Sequence, residues 1–158
     1  MAADIFAKIG DIKGESLDAK HKDEIEVLSF SWGVTNSAAN AAGGVAAGKA
    51  IFQDLSIVHH VDKSSPQLMT ACASGVHLKD ATITCRKAGK GQQEYFVVKM
   101  NDVIVTAVQQ NTADGQPGSE TINLTFAKID IEYVPQKADG SLDAGVFFKY
   151  DLIAHKIV

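Results

Sequence analysis

The chain has 158 residues, 46% of them hydrophobic, with 15 basic against 19 acidic side chains and a net charge of −4. That is enough chain for one sizeable core and too little for two, so a single domain over residues 1–158 is expected. The faintly acidic balance without any basic run argues against nucleic acid or an anionic membrane surface as a partner, and no apolar run of about 18 residues offers a membrane insertion segment.

Residues 1–9 carry an acid at Asp4 and no basic leader ahead of an apolar stretch. The protein is therefore expected to begin in the cytoplasm and to leave, if it leaves, by a route without a cleaved signal. From Asp4 to Ile9 the side chains Ile5, Ala7 and Ile9 alternate with Phe6 and Lys8, the period of a strand, and the polar stretch Gly10 to Lys22 then reads as a loop. Glu24 to Trp32 reads as the clearest strand, with Leu28, Phe30 and Trp32 facing the core and Ser29 and Ser31 facing outward.

Asn36 to Lys49 is built from Ala39, Ala41, Gly43, Gly44, Ala46, Gly48 and similar small residues, with no side chain large enough to anchor it in its own core. Two readings stand side by side: a flexible surface loop, or an extended arm whose small residues let a neighbouring subunit's backbone come close. Ala50 to Val61 follows as a covered strand with Phe52 and Val58 on one face and Ile51, Leu55 and Ile57 on the other.

Ser65 to about Ser74 is the one helical stretch. Ser65 is placed to cap it, Pro66 fits the first turn, and Gly75 ends it. Leu68, Met69, Ala71 and Cys72 share a face directed at a sheet. Leu78–Lys87, Glu94–Gln109, Thr121–Val134 and Val146–Val158 read as further strands. Gly89 with Gly91, and Asp139 with Gly140, mark turns between them. The expected fold is mostly β: an antiparallel barrel or sandwich of about seven to eight strands flanked by one short helix, with a long Ala/Gly-rich arm.

No catalytic, cofactor-binding or metal-ligating pattern is present. His59 and His60 are adjacent on a strand and point to opposite faces, and no phosphate loop, nucleophile elbow or dinucleotide fingerprint occurs. His77 beside Cys72 reads as a surface histidine near a buried thiol, and Cys72 and Cys85 as buried thiols rather than a disulfide framework. Glu24 and Glu26 read as a solvated pair. On these grounds the chain is expected to be no enzyme and to need no cofactor.

The segments Lys8–Ser16, Ser29–Gly33, Asp62–Gly75, Arg86–Gly89 and Tyr133–Gly140, in order over nearly the whole chain, resemble the hemolysin-coregulated proteins, the Hcp family of type VI secretion. The resemblance implies a compact β-barrel with one helix, assembling as a homohexameric ring. Rings stack into an inner tube behind a spike protein, a contractile sheath drives that tube outward, and small effector proteins ride in the lumen. It further implies export through the secretion system itself. On this basis Ser29 and Ser31 are expected to line the lumen, and the arm to lie between subunits. The absence of an appended domain after Val158 argues against a built-in toxin. A monomeric β-barrel that binds a small ligand is the alternative.

Overall fold

The computed structural model describes residues 3–88 and 91–158, so Gly89 of the expected turn pair lies outside the described residues. The strands are β1 (Ala3–Ile9), β2 (Ile25–Glu26), β3 (Ser29–Ser31), β4 (Val34–Asn36), β5 (Ala39–Ala41), β6 (Gly44–Ala46), β7 (Ala50–Phe52) and β8 (Leu55–His60). After helix α1 (Ser65–Ser74) come β9 (Leu78–Lys87), β10 (Glu94–Asn111), β11 (Ser119–Tyr133), β12 (Val146–Asp151) and β13 (Lys156–Ile157). The mostly β, antiparallel reading with one helix is correct. The strand segments outnumber the expected seven or eight because three long apolar stretches are each broken in two and the arm contributes its own pairs.

The sheet runs β13-β12-β11-β10-β9-β1-β2, with β8 paired to both β11 and β3. Its spine is the hairpin of β10, 18 residues, and β11, 15 residues. One half of β11 bonds β8 through Ser119–Leu124, and the other bonds β12 through Lys128–Tyr133. Two half-sheets therefore share the same two strands.

The stretch 25–31 hands the sheet from one half to the other. Val27 N–H donates to the Ile5 carbonyl at 2.9 Å, and the next amide, Leu28 N–H, donates to the Val58 carbonyl at 2.8 Å. Ile25 and Val27 point inward, but the next inward residues are Phe30 and Trp32, so the alternation slips by one and Leu28 is 52% exposed. The expected core series Leu28, Phe30, Trp32 is thus corrected at its first member, and Glu24 to Trp32 is two short strands rather than one. The same slip between Phe52 and Leu55 turns Ile51 out to 58% exposure and leaves Leu55 and Ile57 fully buried.

Leu68 and Ala71 of α1 close the core over β10, whereas Met69 is exposed and Cys72 half-buried, so the helix face is narrower than the spacing suggested. Ser65 does not cap by its own hydroxyl as expected, because it already lies inside the helix. Instead the Asp62 carboxylate accepts from Ser64 N–H at 2.8 Å, and the Ser65 hydroxyl accepts from Asp62 N–H at 3.1 Å, so side chains meet two of the free amides at the helix entry. Pro66 sits in the first turn, and the Gly75 N–H reaches back to the carbonyls of Ala71 and Cys72.

Candidate assembly surface

Two long excursions leave this body. Residues 10–24 form a strap across the outer face of β1 and β9. Gly14 lies so close to the returning chain that a Cβ there would stand 2.5 Å from the Glu24 carbonyl oxygen, so only glycine fits. Further along, Arg86 holds Asp18 with both terminal nitrogens, at 2.9 and 2.8 Å, and reaches Asp4 at 3.1 Å. The guanidinium, through its hydrogen bonds, keeps the Asp18 carboxyl well below the usual carboxylate range. His21 has Glu24 at 2.9 Å and Glu94 at 2.8 Å on its two ring nitrogens. The His21 ring stacks on Phe6 at 4.4 Å, and the Arg86 guanidinium lies 4.9 Å from the centroid of the Phe6 ring. Phe6, on the outer side of β1, is therefore only 5% exposed.

The second excursion is the Ala/Gly-rich arm. It is a hairpin and not an irregular loop: β4 pairs with β7, and β5 with β6 beyond them. Asn36 pairs with Ala50 and Ala39 with Ala46, leaving two residues on one side opposite three on the other, a bulge midway along the arm. There the Asn36 side chain imitates a strand, donating to the Gly48 carbonyl at 3.0 Å and accepting from Gly48 N–H at 2.8 Å. A Cβ on Gly48 would stand 2.0 Å from the Ser37 carbonyl oxygen, so this crossing also demands glycine. The root is aromatic: Phe52 stacks with Trp32 at 6.2 Å and meets Tyr150 at 4.6 Å. Past the root Ala39, Gly43, Gly44, Ala46 and Gly48 are exposed, as is Val45 at 77%.

Ser29 and Ser31 are exposed on β3. Their partners across the ladder are Val58 and Ser56, and the Ser56 hydroxyl donates to Asn123 at 2.9 Å. Thr106 on β10 donates to Asp54 at 2.8 Å. The outward side of this half-sheet thus presents mainly small hydroxyls and amides. The other half-sheet differs: Thr82, Thr84, Lys99, Asp130 and Glu132 surround a concavity of about 330 Å³, and Lys149 lies 3.7 Å from Asp130.

Sequence reasoning missed the buried pair of His59 and Glu120, 2.9 Å apart, with Gln110 donating to the second Glu120 oxygen at 3.0 Å. The signal was there, since His59 continues the inward series Leu55, Ile57, and Glu120 the inward series Ile122, Leu124. His77 is exposed and bonded to Asp102 at 2.6 Å, and Glu24 is engaged with His21 rather than merely solvated. Cys85 is a buried thiol whose pKa burial pushes up to about 11, which leaves it unreactive. Among the described residues no group of three or more His, Cys, Asp or Glu side chains could hold a metal ion, and no helix is long and apolar enough to cross a membrane.

Residues 6–133 match the family model described as "Type VI secretion system effector, Hcp". The chain is 46% identical over 148 residues to the protein hcp1 of Pseudomonas aeruginosa, covering 92% of this chain and 91% of that one. Among solved structures it is similar to a type six secretion system protein, with a TM-score of 0.93 at 29% identity over 99% of this chain and 100% of that one. It is also similar to Hcp1 of Salmonella typhimurium, with a TM-score of 0.79 at 35% identity over 100% of both chains.

Proposed function

Since this chain belongs to the Hcp family of type VI secretion system effectors, we propose that it is a non-enzymatic, ring-forming subunit of the secretion tube. Residues 1–158 act as one unit. Six copies close a ring through identical head-to-tail contacts, and rings stack behind a spike inside a contractile sheath. The chain is exported with the machine.

The observation that carries this reading is the arm. A two-stranded hairpin on its own is marginal in water, and this one extends roughly 17 Å from Asn36 to its tip, by the rise of an antiparallel strand. It places exposed Val45 and Ile51 in solvent with little of its own body to cover them. A second copy supplies the missing surface. Deleting Ala39 to Ala47 is expected to leave a folded β protein whose native mass falls from a ring to a single chain, somewhat below the 16.8 kDa of the full sequence. A ring that persists after the deletion would sink the proposal.

The face bearing Ser29 and Ser31, mainly small hydroxyls and amides, is proposed as the lumen wall that small effector proteins touch. Small hydroxyls leave a channel without strong charge traps, whereas the opposite half-sheet, with its Lys, Asp and Glu, suits no such wall. Ser31→Gln is expected to leave the ring's native mass unchanged and to reduce co-purification of effector severalfold. Equal effector recovery would remove Ser31 from the contact.

A further inference from the structure

Leu17, at the tip of the strap, is 90% exposed, more than any other large apolar side chain among the described residues. It is nevertheless held firmly. Its neighbour Ser16 is fully buried, donates its N–H to the Glu24 carbonyl at 3.0 Å and accepts from Asp23 N–H at 2.9 Å. On the other side Asp18 is gripped by Arg86 and also accepts from the Lys20 and His21 amides at 3.0 and 3.2 Å. A leucine fixed in water between two anchored residues buries nothing for its own fold. Its ordering has already been met within the chain, so little more is lost when a partner covers it.

The other end of β9 offers a seat. Leu78, Ala127, Lys79 and Lys128 line an open concavity of about 760 Å³, and His77 and Asp102, bonded at 2.6 Å, stand on its rim. Asp102 has φ 53 within β10, an irregularity that turns its side chain toward His77. The charges left over at the two ends are opposite: Arg86 neutralises Asp18, which leaves Glu15 beside Leu17, and Lys128 lies 3.9 Å from Asp151, which leaves Lys79 in the concavity. Arg86, which holds the strap tip, lies eight residues from Leu78 on β9, roughly 26 Å at the rise of a strand. A knob and a seat that far apart cannot meet within one copy.

We infer that the strap tip of one copy, Glu15 to Asp18 with Leu17 as its apolar centre, seats in the Leu78–Lys79–Lys128 concavity of a second copy. Because knob and seat are different patches, the contact is heterologous, and in the stacked-ring reading it repeats from ring to ring. It rests on the stacked-ring reading, for which it supplies an axial contact distinct from the arm.

The test is a cysteine pair, Leu17→Cys with Lys79→Cys in a Cys72→Ser background, oxidised gently and run on a non-reducing gel. The expected result is a ladder at multiples of the 16.8 kDa chain, with each single variant, which has no cysteine opposite its own, running as monomer. No ladder from the pair overturns the inference. In parallel, Leu17→Asp is expected to keep the wild-type ring mass and to lose end-to-end stacks in negative stain at concentrations where the wild type forms them. Stacks as long as those of the wild type would also overturn it. Ring mass of the reduced protein is read separately: a monomer there defeats the ring proposal, while the ladder still reports whether strap and seat meet.

Discussion

The strap and the arm are two excursions of similar length that look alike on paper, yet they end in opposite conditions. The strap, residues 10–24, carries Asp18 and His21, and each finds a partner on the body: Arg86 for Asp18, and Glu94 with the Phe6 ring for His21. The arm, residues 36–49, carries Ala, Gly and Asn, and beyond its aromatic root its bonds are internal. A loop with side chains to exchange is tied down by its own chain. A loop without them must be tied down by another, and this separates structural from assembling segments here.

Experiments that break the contrast can be ordered by expected effect. The reference is the body itself: Leu68 is fully buried, so Leu68→Ala is expected to cost about 2–5 kcal/mol from lost burial and the cavity left behind, read as a lowered urea midpoint at unchanged slope. Freeing the strap should come next. Arg86 is 2% exposed, and Arg86→Ala is expected to cost about 3 kcal/mol, the low end for halving a buried ion pair, because Asp18 and Asp4 are partly exposed and can rehydrate. Limited proteolysis should then cut first between residues 17 and 22.

Acid offers a gentler route to the same end. The folded Asp18 carboxyl titrates below its unfolded value, so its contribution is fully present above about pH 4 and is lost as pH falls through the depressed folded value. Strap protection measured by hydrogen exchange is thus expected to be flat from pH 7 to about pH 4 and to fall below that. In Asp18→Asn that acid-dependent loss should be absent. The smallest effect belongs to the arm: the Ala39–Ala47 deletion is expected to change the unfolding free energy of the isolated chain by no more than about 0.5 kcal/mol, as for other exposed changes. A large loss there would mean the arm supports its own body, and the contrast with the strap would fail.

Much of the fold could be read from alternation alone. Leu78–Lys87 is a single strand with the expected bounds, and Thr121–Val134 falls almost wholly within β11. Alternation failed where strands change partner. Leu28 and Ile51 each sit beside a one-residue slip that no side chain announces, because the slip comes from the sheet turning from β1 to β8 or from the arm to the body. The strap's anchors were illegible for another reason: Arg86 meets Asp18 across 68 residues, and nothing local to either carries that pairing. The buried His59–Glu120 pair is legible in principle, since both keep the inward parity of their strands, but polar residues are mostly exposed and so mask that parity. The small-residue character of the arm was plain in the sequence, and its hairpin geometry was not, because alanine and glycine carry no facing preference.

Leu28 gives its position a kind of information that substitution cannot reach. Its side chain is half in water, but its backbone N–H makes the first bond to β8, one residue after Val27 makes the last to β1. Exchanging the leucine for another residue changes little, whereas deleting it restores unbroken alternation from Ile25 through Trp32 and takes away the spare residue with which the chain turns the corner. At this point the fold is written in the count of residues rather than in their chemistry.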